Sequence, residues 1–469
     1  MRKISLLLIT LIVFSIIMSL SSCLDTQFMD PPTINGVSLA EFTIVYDFDG
    51  LDYNKRAAEY IKSRASEQYN VNLEVLDDDT PKGTHEIVVG ETSRDISASL
   101  NAETSGLEFS ILASDGSVAL EGDYFVIAAA AYFFVDTYAS GDGVEVSVPE
   151  TASVHTPIVK EAKNYIMLIG DGMGVYQTKM FDYLENNCDY SDGEDLFYGY
   201  MLPYLGSSRT DSLSGTTDSA AGGTALSCGY KTLNGYVGMN IAQKPVKSLT
   251  ELASEMGKST AVMSTEVETG ATPSTFLAHI ASRSFTSALT NAILRTQEEY
   301  GTVVDCGFDY YNAKYMETIE DHVEATLDEV SKNENGFFLM YEEAHTDKHS
   351  HDNDMDKTFQ ALIRFNQVIA RFMEFAFYNP ETFILITADH ETGELYPEAN
   401  ELDPDGKEIL VYHYDDHSSA DVLIFAYGYD AGLFDEQNIE NIQIAHTIAA
   451  LMGDENFGDQ SKFQSLTKK

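Results

Sequence analysis

Basic residues are scarce in this sequence. Only 28 Lys and Arg stand against 75 Asp and Glu, which gives a formal net charge of -47. Nucleic-acid binding depends on basic side chains that neutralise phosphates, so we expect no nucleic-acid partner. The same surface would repel phosphate esters, although salt screens that repulsion beyond roughly 8 Å. A site for an anionic ligand must therefore carry its own positive charge, which bound metal ions can supply.

Cysteine is also scarce, with four residues in a chain of 469. No pair of them has the spacing of a zinc ribbon or a redox motif. If the first, Cys23, carries a lipid, at most one disulfide can form, so the sequence is not that of a disulfide scaffold. Beyond the N-terminal segment the sequence also lacks an apolar run long enough to span a bilayer, and it contains no internal repeat.

The first residues have the pattern of an export signal. Two basic residues are followed by an uncharged apolar stretch from Ile4 to Leu20, and small residues then precede Cys23. This pattern resembles a bacterial lipobox, in which the cysteine becomes the lipidated first residue. An ordinary signal peptide or a short membrane anchor is the alternative. We predict a lipoprotein signal peptide over residues 1–22 and an extracytoplasmic protein that is anchored to the cell membrane through Cys23.

The length of the chain predicts two domains. Residues 23–34 are polar and contain a Pro-Pro pair, which indicates a short tether. Residues 35–155 alternate strand-like and helical patterns and hold no catalytic cluster, which predicts a small N-terminal α/β domain. We interpret this domain as a spacer, with a glycan-binding module as the alternative. Its predicted elements are strands at 42–46, 86–90 and 118–122 and helices at 53–69 and 127–138.

Residues 156–469 show a cleaner alternation of strands and helices. Continuous apolar runs, which are expected for buried parallel strands, occur at 165–170, 260–264, 336–341, 382–388 and 422–427. Helical patterns occupy 353–378 and 436–452. This order predicts an α/β fold with a doubly wound, mainly parallel sheet and helices on both faces. In such a sheet, ligands bind beyond the carboxyl ends of the strands.

Polar residues gather at those predicted strand ends. They are Asp171, the pair Asp218 and Ser219, Thr272, Glu342, Asp347, His351, Asp389, His390 and His417. A single Asp that caps a helix, or a single His, has an ordinary structural explanation. Repeated carboxylates and imidazoles at strand ends do not, because these groups are the ligands of divalent metals. Asp347 and His351 are also four residues apart, which places them on one face of a helix.

Three residues indicate how such a site would treat a phosphate group. Ser219 precedes small residues that favour a helix, and a helix N-terminus favours an alkoxide or a phosphate. A plain helix cap is the alternative for Ser219. Thr272 offers a hard oxygen suited to Mg²⁺. Arg283 offers a planar fork that matches two phosphate oxygens, although such an Arg taken alone is more often a surface charge.

In chain order, these motifs resemble those of the alkaline phosphatase family. The matching stretches are Asp-Gly-Met-Gly, Thr-Asp-Ser-Ala-Ala, Ala-Thr-Pro, Asp-x-x-x-His, Thr-Ala-Asp-His and His-Ser-x-x-Asp-Val, all within residues 157–455. The resemblance implies hydrolysis of small phosphomonoesters to an alcohol and inorganic phosphate through a phosphoserine intermediate on Ser219. A phosphodiesterase or sulfatase on the same fold and a binding protein without activity are the alternatives. The position of Arg283 favours the monoesterase.

The resemblance also implies two Zn²⁺ and one Mg²⁺. It assigns one Zn²⁺ to Asp347, His351 and His417, the other to Asp171, Asp389, His390 and Ser219, and Mg²⁺ to Asp171, Thr272 and Glu342. Arg283 would clamp the phosphate, steadied by Asp218, with Lys348 nearby. Gly270 stands where family members usually have Asp or His, so we expect a weakened or altered Mg²⁺ site. A homodimer is compatible with the resemblance but not implied, because only 58 residues, fewer than in the large family members, separate Arg283 from Glu342.

Overall fold

The computed structural model of the chain describes residues 28–48, 52–100, 105–184, 196–307, 315–402 and 408–467. The predicted signal peptide and Cys23 lie outside these residues. The described residues fall into two compact units. The smaller comprises the residues up to His155 except 105–108, and the larger comprises residues 105–108 and those from Thr156 onward. Within the described ranges, no helix is long and apolar enough to cross a membrane.

The smaller unit is an α/β structure, as the sequence predicts. Its strands are β1 (Thr33–Ile34), β2 (Val37–Ser38), β3 (Thr43–Tyr46), β4 (Val75–Asp77), β5 (Glu86–Val89), β6 (Phe109–Ser114), β7 (Ser117–Glu121), β8 (Glu145–Val146) and β9 (Ser153–His155), and its helices are α1 (Tyr53–Tyr69) and α2 (Ile127–Thr137). One sheet has the order β4-β3-β5-β7-β6-β9, with parallel pairing from β4 to β7 and antiparallel pairing beyond; β2, β1 and β8 form a second sheet. The two helices pack against each other and against strands of the larger sheet.

Helix α1 illustrates how local sequence sets these elements. Ala57, Ala58, Ile61 and Ala65 recur at helical spacing and are all buried, so one face of the helix packs inward. The helix ends where Asn70 adopts a left-handed conformation with φ 55° and ψ 33°. Asn tolerates that conformation better than most residues, so the residue at position 70 favours termination of the helix there. The observed helix therefore has the predicted bounds.

The larger unit is built on an eight-stranded, mainly parallel sheet. Its strands are β10 (Asn164–Gly170), β11 (Tyr204–Arg209), β12 (Ser259–Ser264), β13 (Val303–Cys306), β14 (Phe337–Glu343), β15 (Thr382–Thr387), β20 (Val422–Tyr427) and β21 (Asn438–Glu440), in the order β13-β12-β14-β10-β15-β20-β11-β21. The five strands from β13 to β15 are parallel, and β20 runs antiparallel to both of its neighbours. All residues of β10, β14 and β15 are buried, which confirms that apolar runs mark strands covered on both faces.

Helices connect the strands of this sheet. They are α3 (Val175–Thr178), α4 (Met180–Leu184), α5 (Ser219–Cys228), α6 (Leu249–Glu255), α7 (Ala271–Leu277), α8 (Thr286–Tyr300), α9 (Tyr315–Val330), α10 (His345–His351), α11 (Met355–Tyr378) and α12 (Ile442–Met452). The helix that we predict over 436–452 begins only at Ile442, because Asn438–Glu440 pairs with β11 at the sheet edge. Strand β14 extends two residues past its predicted end and so carries Glu342 within it.

Two short antiparallel pairs stand apart from the main sheet. They are formed by β16 (Glu391–Thr392) with β19 (His417–Ser418), and by β17 (Leu395–Leu402) with β18 (Glu408–Tyr412). The first pair matters for the site, because it sets Thr392 opposite His417. It thereby brings the segment that follows β15 next to a histidine that is distant in sequence.

Candidate metal centre

The polar residues predicted at strand ends converge on one edge of the large sheet. Asp171 directly follows β10, Glu342 lies at the end of β14, and Asp389 comes two residues after β15. Because β10 pairs with both β14 and β15 in parallel, these carboxyl ends meet at the same edge. The backbone N–H of Asp171 donates to the carbonyl of Glu343 at 3.0 Å, which holds the end of β10 against the end of β14.

Asp347, His351 and His417 form a first group, with ligand atoms within 4.8 Å of one another. Helix α10 presents Asp347 and His351 on one face, and β19 supplies His417. The two Nε2 atoms lie 3.0 Å apart, and they are 3.4 and 3.5 Å from Asp347 Oδ1. Three atoms that can each accept a hydrogen bond or ligate a metal therefore point at a common centre.

Backbone carbonyls orient both imidazoles of this first group. His351 Nδ1 lies 2.7 Å from the carbonyl oxygen of Asp415, and His417 Nδ1 lies 2.8 Å from that of Thr217. A carbonyl can only accept, so each Nδ1 carries the proton and each Nε2 of a neutral ring keeps a free lone pair. Histidines that bind metals are typically held in this way by their other ring nitrogen.

Asp171, Asp389 and His390 form a second group, again with ligand atoms within 4.8 Å. His390 Nε2 is 3.4 Å from Asp171 Oδ1 and from Asp389 Oδ2, and 3.2 Å from the hydroxyl oxygen of Ser219. All four side chains are buried. Asp171 Oδ1 and Asp389 Oδ2 have no hydrogen-bond partner among the described residues, although burying an unsatisfied carboxylate oxygen is costly.

The two groups adjoin each other. The rings of His390 and His417 stack with centroids 3.6 Å apart. The hydroxyl of Thr392 donates to Asp347 Oδ1 at 2.5 Å and lies 3.2 Å from His390 Nδ1. One threonine in β16 thus links a carboxylate of the first group to the imidazole of the second.

The resemblance assigns Mg²⁺ to a third set of oxygen donors, which we call the third site. It consists of Asp171, Thr272 and Glu342, of which Thr272 is provided by α7. The buried atoms Thr272 Oγ1 and Glu342 Oε1 have no hydrogen-bond partner among the described residues. The other carboxylate oxygen, Glu342 Oε2, accepts a hydrogen bond from Ser264. Hard oxygen donors of this kind suit Mg²⁺ better than Zn²⁺.

The titration behaviour of the carboxyl groups points to a missing positive charge. Burial and the charge of Asp389 raise the pKa of Asp171 well above its usual range. Burial and the charge of Asp347 raise the pKa of Asp389 to about 7. Burial and the charge of Glu266 raise the pKa of Glu342 to about 8. Bound divalent cations would reverse these shifts, so the residues present fit a metal centre.

The histidines are less alike in their titration. Burial and the charge of His417 lower the pKa of His390 well below its usual value, so His390 is neutral at pH 7. Burial also acts to lower the pKa of His417, but the contact with Asp347 outweighs it and raises that pKa to about 9. Burial acts to raise the pKa of Asp347, yet His417 and His390 lower it below its usual range. A proton thus occupies the first group where a cation would otherwise lie.

Ser219 is the first residue of α5 and is buried. The preceding residue, Asp218, caps this helix by accepting the backbone N–H of Ala221 at 3.0 Å on Oδ1. Its Oδ2 accepts the N–H of Gly235 at 2.9 Å. Small residues let the helix approach the second group, because a Cβ added to Gly222 would lie only 2.9 Å from the carbonyl oxygen of Asp389.

The two predicted phosphate-contacting cations have acidic partners. Arg283 Nη1 donates to Asp218 Oδ2 at 3.3 Å, and 40% of its side chain is exposed. Lys348 Nζ lies 2.9 Å from Glu266 Oε1. Arg283 is therefore tied to the residue next to Ser219, with donors left over for a ligand, whereas Lys348 is tied to a glutamate that the sequence analysis does not single out.

Besides Thr392, the sequence analysis misses Glu266 and Glu391 as residues of this centre. Glu391 is buried; its Oε2 accepts from Ser418, and its Oε1 accepts from Leu395 N at 3.2 Å, so it fastens β16 to β19. Its place directly after His390 is the only sequence signal for it. For Glu266 the signal is an acidic residue shortly before a glycine, Gly270, that interrupts an otherwise polar motif.

A family model described as alkaline phosphatase matches residues 162–306 and 289–411 of the chain. Among curated proteins, alkaline phosphatase 4 and alkaline phosphatase 3 of Bacillus subtilis strain 168 are 28% and 27% identical to it over 304 and 307 residues. Each match covers 54% of this chain and 66%, just under two thirds, of the relative. Alkaline phosphatase of Escherichia coli K12 is 36% identical over 152 residues, which cover 32% of each chain.

Solved structures show the same fold. The alkaline phosphatase from the Antarctic bacterium TAB5 superposes with a TM-score of 0.55 at 22% identity, and the match covers 62% of this chain and 98% of that one. A cold-active alkaline phosphatase from a psychrophilic Shewanella species gives a TM-score of 0.55 at 22% identity, covering 62% and 100% of the two chains. These matches confirm the predicted fold class.

Proposed function

Because the chain belongs to the alkaline phosphatase family, we propose that it hydrolyses phosphate monoesters to an alcohol and inorganic phosphate. The observation that carries the proposal is the place of Ser219. Its hydroxyl lies within 3.2 Å of His390, in a buried position where unpaired carboxylate oxygens of the second group converge. A hydroxyl that only capped a helix would not need such surroundings.

Ser219 is the proposed nucleophile. Its Oγ would attack the phosphorus of the ester, the bond from phosphorus to the alcohol oxygen would break, and the alcohol would leave. Water would then attack the phosphoserine and release inorganic phosphate, which regenerates the hydroxyl. The side chain is well placed for this role, since Asp218 locks the first turn of α5 and Gly222 keeps that turn close to Asp389.

The three donor sets would hold two Zn²⁺ and one Mg²⁺. The first group, Asp347, His351 and His417, and the second group, Asp171, Asp389 and His390 with Ser219, would each take a Zn²⁺; the third site, Asp171, Thr272 and Glu342, would take Mg²⁺. When bound, these ions supply the positive charge that the acidic chain lacks and act as Lewis acids towards phosphoryl oxygens. The chain contributes imidazoles whose Nδ1 atoms are held by backbone carbonyls, together with carboxylate oxygens of Asp171, Asp389 and Glu342 that have no hydrogen-bond partner among the described residues.

Arg283 would bind two non-bridging oxygens of the phosphate. Its guanidinium keeps donors free after contacting Asp218 Oδ2, and that contact holds it beside Ser219. A monoester dianion presents the charge and the oxygens that this fork needs, whereas a diester has one negative charge fewer and a second bulky group. We therefore propose a strong preference for monoesters. Lys348 would act on the phosphate from farther away, through water.

Turnover of two substrates by three proteins tests the proposal. We expect the native enzyme to have a kcat/KM for p-nitrophenyl phosphate that exceeds its kcat/KM for bis-p-nitrophenyl phosphate by orders of magnitude. Arg283→Ala should reduce monoester turnover by roughly 100-fold, or about 3 kcal/mol, and hardly change diester turnover. Ser219→Ala should abolish both. Equal or better diester turnover by the native enzyme would replace the proposal with a phosphodiesterase on the same fold.

We also propose that the protein acts outside the cytoplasm as a lipoprotein, with the smaller unit as a spacer. The support is the pattern that ends in Cys23, together with the lack of a candidate catalytic cluster in residues 35–155. Cys23→Ser should release the protein from membranes on cell fractionation without changing its turnover. Unchanged membrane retention of that variant would rule out the lipid anchor.

A further inference from the structure

We propose that Glu266 is a fourth side chain of the third site and sets its affinity for Mg²⁺, taking the space that a side chain at Gly270 would fill. The inference rests on the proposed function, because it concerns the metal that the third site would hold. Glu266 follows β12 and lies in the turn that leads to α7, which provides Thr272. Neither the sequence motifs nor the first two ligand groups include it.

The space above Gly270 is filled by Glu266. A Cβ added to Gly270 would lie 2.7 Å from Glu266 Oε2 and 2.9 Å from both Cδ and Cγ. The backbone of Gly270, with φ -53° and ψ 155°, is open to any residue. A side chain at position 270 would therefore be compatible with the backbone conformation but would displace the Glu266 carboxylate. The Glu266 carboxylate occupies the space into which a side chain at position 270 would extend.

Ser264 links the backbone of Glu266 to Glu342 of the third site. The Ser264 hydroxyl donates to Glu342 Oε2 and accepts the backbone N–H of Glu266 at 2.9 Å. The carbonyl of Glu266 accepts the N–H of Gly307 at 2.7 Å. A single serine therefore joins the backbone of Glu266 to a third-site carboxylate, so the side chain starts from a fixed position.

The third site contains buried oxygen atoms without hydrogen-bond partners, which could ligate a cation. Thr272 Oγ1 and Glu342 Oε1 belong to fully buried residues and have no hydrogen-bond partner among the described residues. Thr272 follows Gly270 by two residues, and a Cβ added to Gly270 would lie 2.7 Å from Glu266 Oε2, so Glu266 is next to the segment that provides Thr272.

The other oxygen of Glu266 connects this site to Lys348. Oε1 lies 2.9 Å from Lys348 Nζ, with 27% of the Glu266 side chain and 42% of the Lys348 side chain exposed. An ion pair as exposed as this adds little stability, so its effect is to position the lysine. Glu266 thus holds one oxygen over Gly270, two residues before Thr272, and contacts the amine of Lys348, the residue after Asp347, with the other. A third site built from three carboxylates and a hydroxyl would select Mg²⁺ or Mn²⁺ over softer metals.

Binding of Mn²⁺, a paramagnetic probe for Mg²⁺, to the zinc-loaded protein tests this inference without relying on turnover. Glu266→Gln should weaken Mn²⁺ binding by about 10- to 100-fold in an electron paramagnetic resonance titration. Glu268→Gln removes a carboxylate of equal charge two residues away and should bind Mn²⁺ like the native protein. Thermal unfolding and zinc content, measured on each variant, separate a lost ligand from a lost fold.

An exchange between the two positions is the sharper test. Gly270→Asp alone should disturb the site, because its Cβ would meet Glu266. Glu266→Ala should weaken Mn²⁺ binding, and the double variant Glu266→Ala/Gly270→Asp should recover most of it. The inference is overturned if Glu266→Gln binds Mn²⁺ like Glu268→Gln, or if the double variant binds no better than Glu266→Ala. Glu266-dependent Mn²⁺ binding in a protein that fails to hydrolyse monoesters would support the inference and contradict the proposed function.

Discussion

The two units bury acidic groups in opposite ways. In the smaller unit, Glu86 lies beside Arg94, with Oε2 3.0 Å from Nε and side-chain exposures of 2% and 7%. Arg94 Nη1 and Nη2 also donate to the backbone carbonyls of Asp78 and Thr80, and Glu86 Oε1 accepts the N–H of Gly83. Both charges of this buried pair therefore have partners within the chain. Such a pair stabilises the fold and does not need a bound cation to neutralise its carboxylate.

In the larger unit, like charges are buried together. Asp171, Asp389 and Glu342 converge at one edge of the sheet, and each has an oxygen without a partner among the described residues. Burial raises the pKa of each of them, and neighbouring carboxylates add to the rise. A fold that can pair a buried glutamate with an arginine does not leave three carboxylates unpaired without a reason. We attribute the difference to metal binding, and three changes would sharpen or break that comparison.

The largest effect is expected from Asp389→Asn. Loss of this carboxylate should lower kcat for p-nitrophenyl phosphate by roughly 10²- to 10³-fold and reduce zinc content. At pH 8 it should also make the metal-free protein more resistant to heat, since it removes a buried charge whose pKa is about 7. Exposed Asp352 undergoes the same chemical change as a control and should alter neither property. If Asp389→Asn instead destabilises the chelated protein, the buried Asp389 carboxylate does not lower the stability of the metal-free fold. The attribution of the unpaired carboxylates to metal binding would then be contradicted.

Glu86→Ala probes the other side of the comparison. It leaves the Arg94 charge buried without its partner and should destabilise the smaller unit by about 3–5 kcal/mol in urea unfolding. Turnover of p-nitrophenyl phosphate by the folded protein should be unchanged. The double variant Glu86→Ala/Arg94→Met removes both charges and should recover much of the loss. A fall in kcat at full folding would mean that this pair serves the active site and not the fold.

A smaller effect is expected from pH on the metal-free protein. The pKa of Glu342 is raised from 4.5 to about 8 and that of His417 from 6.5 to about 9. Groups with raised folded-state pKa values contribute stability at low pH that is lost as pH rises through those values. The melting temperature in chelator should therefore fall by a few degrees between pH 6.5 and pH 9, whereas that of the metal-loaded protein should not. A flat profile in chelator would contradict the assigned charge states.

The sequence predicts the sheet and the meeting of its strand ends because both depend on local patterns. Continuous apolar runs mark β10, β14 and β15, and parallel strands bring the residues that follow them to one edge. The strand Asn438–Glu440 cannot be predicted in this way, because three residues are too few to show a periodic pattern of apolar side chains. It forms by pairing with β11 at the edge of the sheet.

Other parts of the centre depend on contacts between distant residues. The carbonyls of Asp415 and Thr217 fix the tautomers of His351 and His417, yet backbone groups leave no mark in a sequence. The side chain of Glu266 fills the space next to Gly270, a contact that the order of residues in the sequence does not reveal. Types of ligand can thus be predicted from sequence order, whereas their orientation and the residues that support them cannot.

Metal removal tests the central claim most directly. Native protein should contain zinc and magnesium, and exhaustive dialysis against a chelator should abolish turnover of p-nitrophenyl phosphate. Addition of Zn²⁺ with Mg²⁺ should restore turnover, and elemental analysis should show metal returning to native protein but less zinc returning to Asp389→Asn. Full turnover by protein shown to be free of metal would contradict the account, because the unpaired carboxylates at the sheet edge would then have no role in the chemistry.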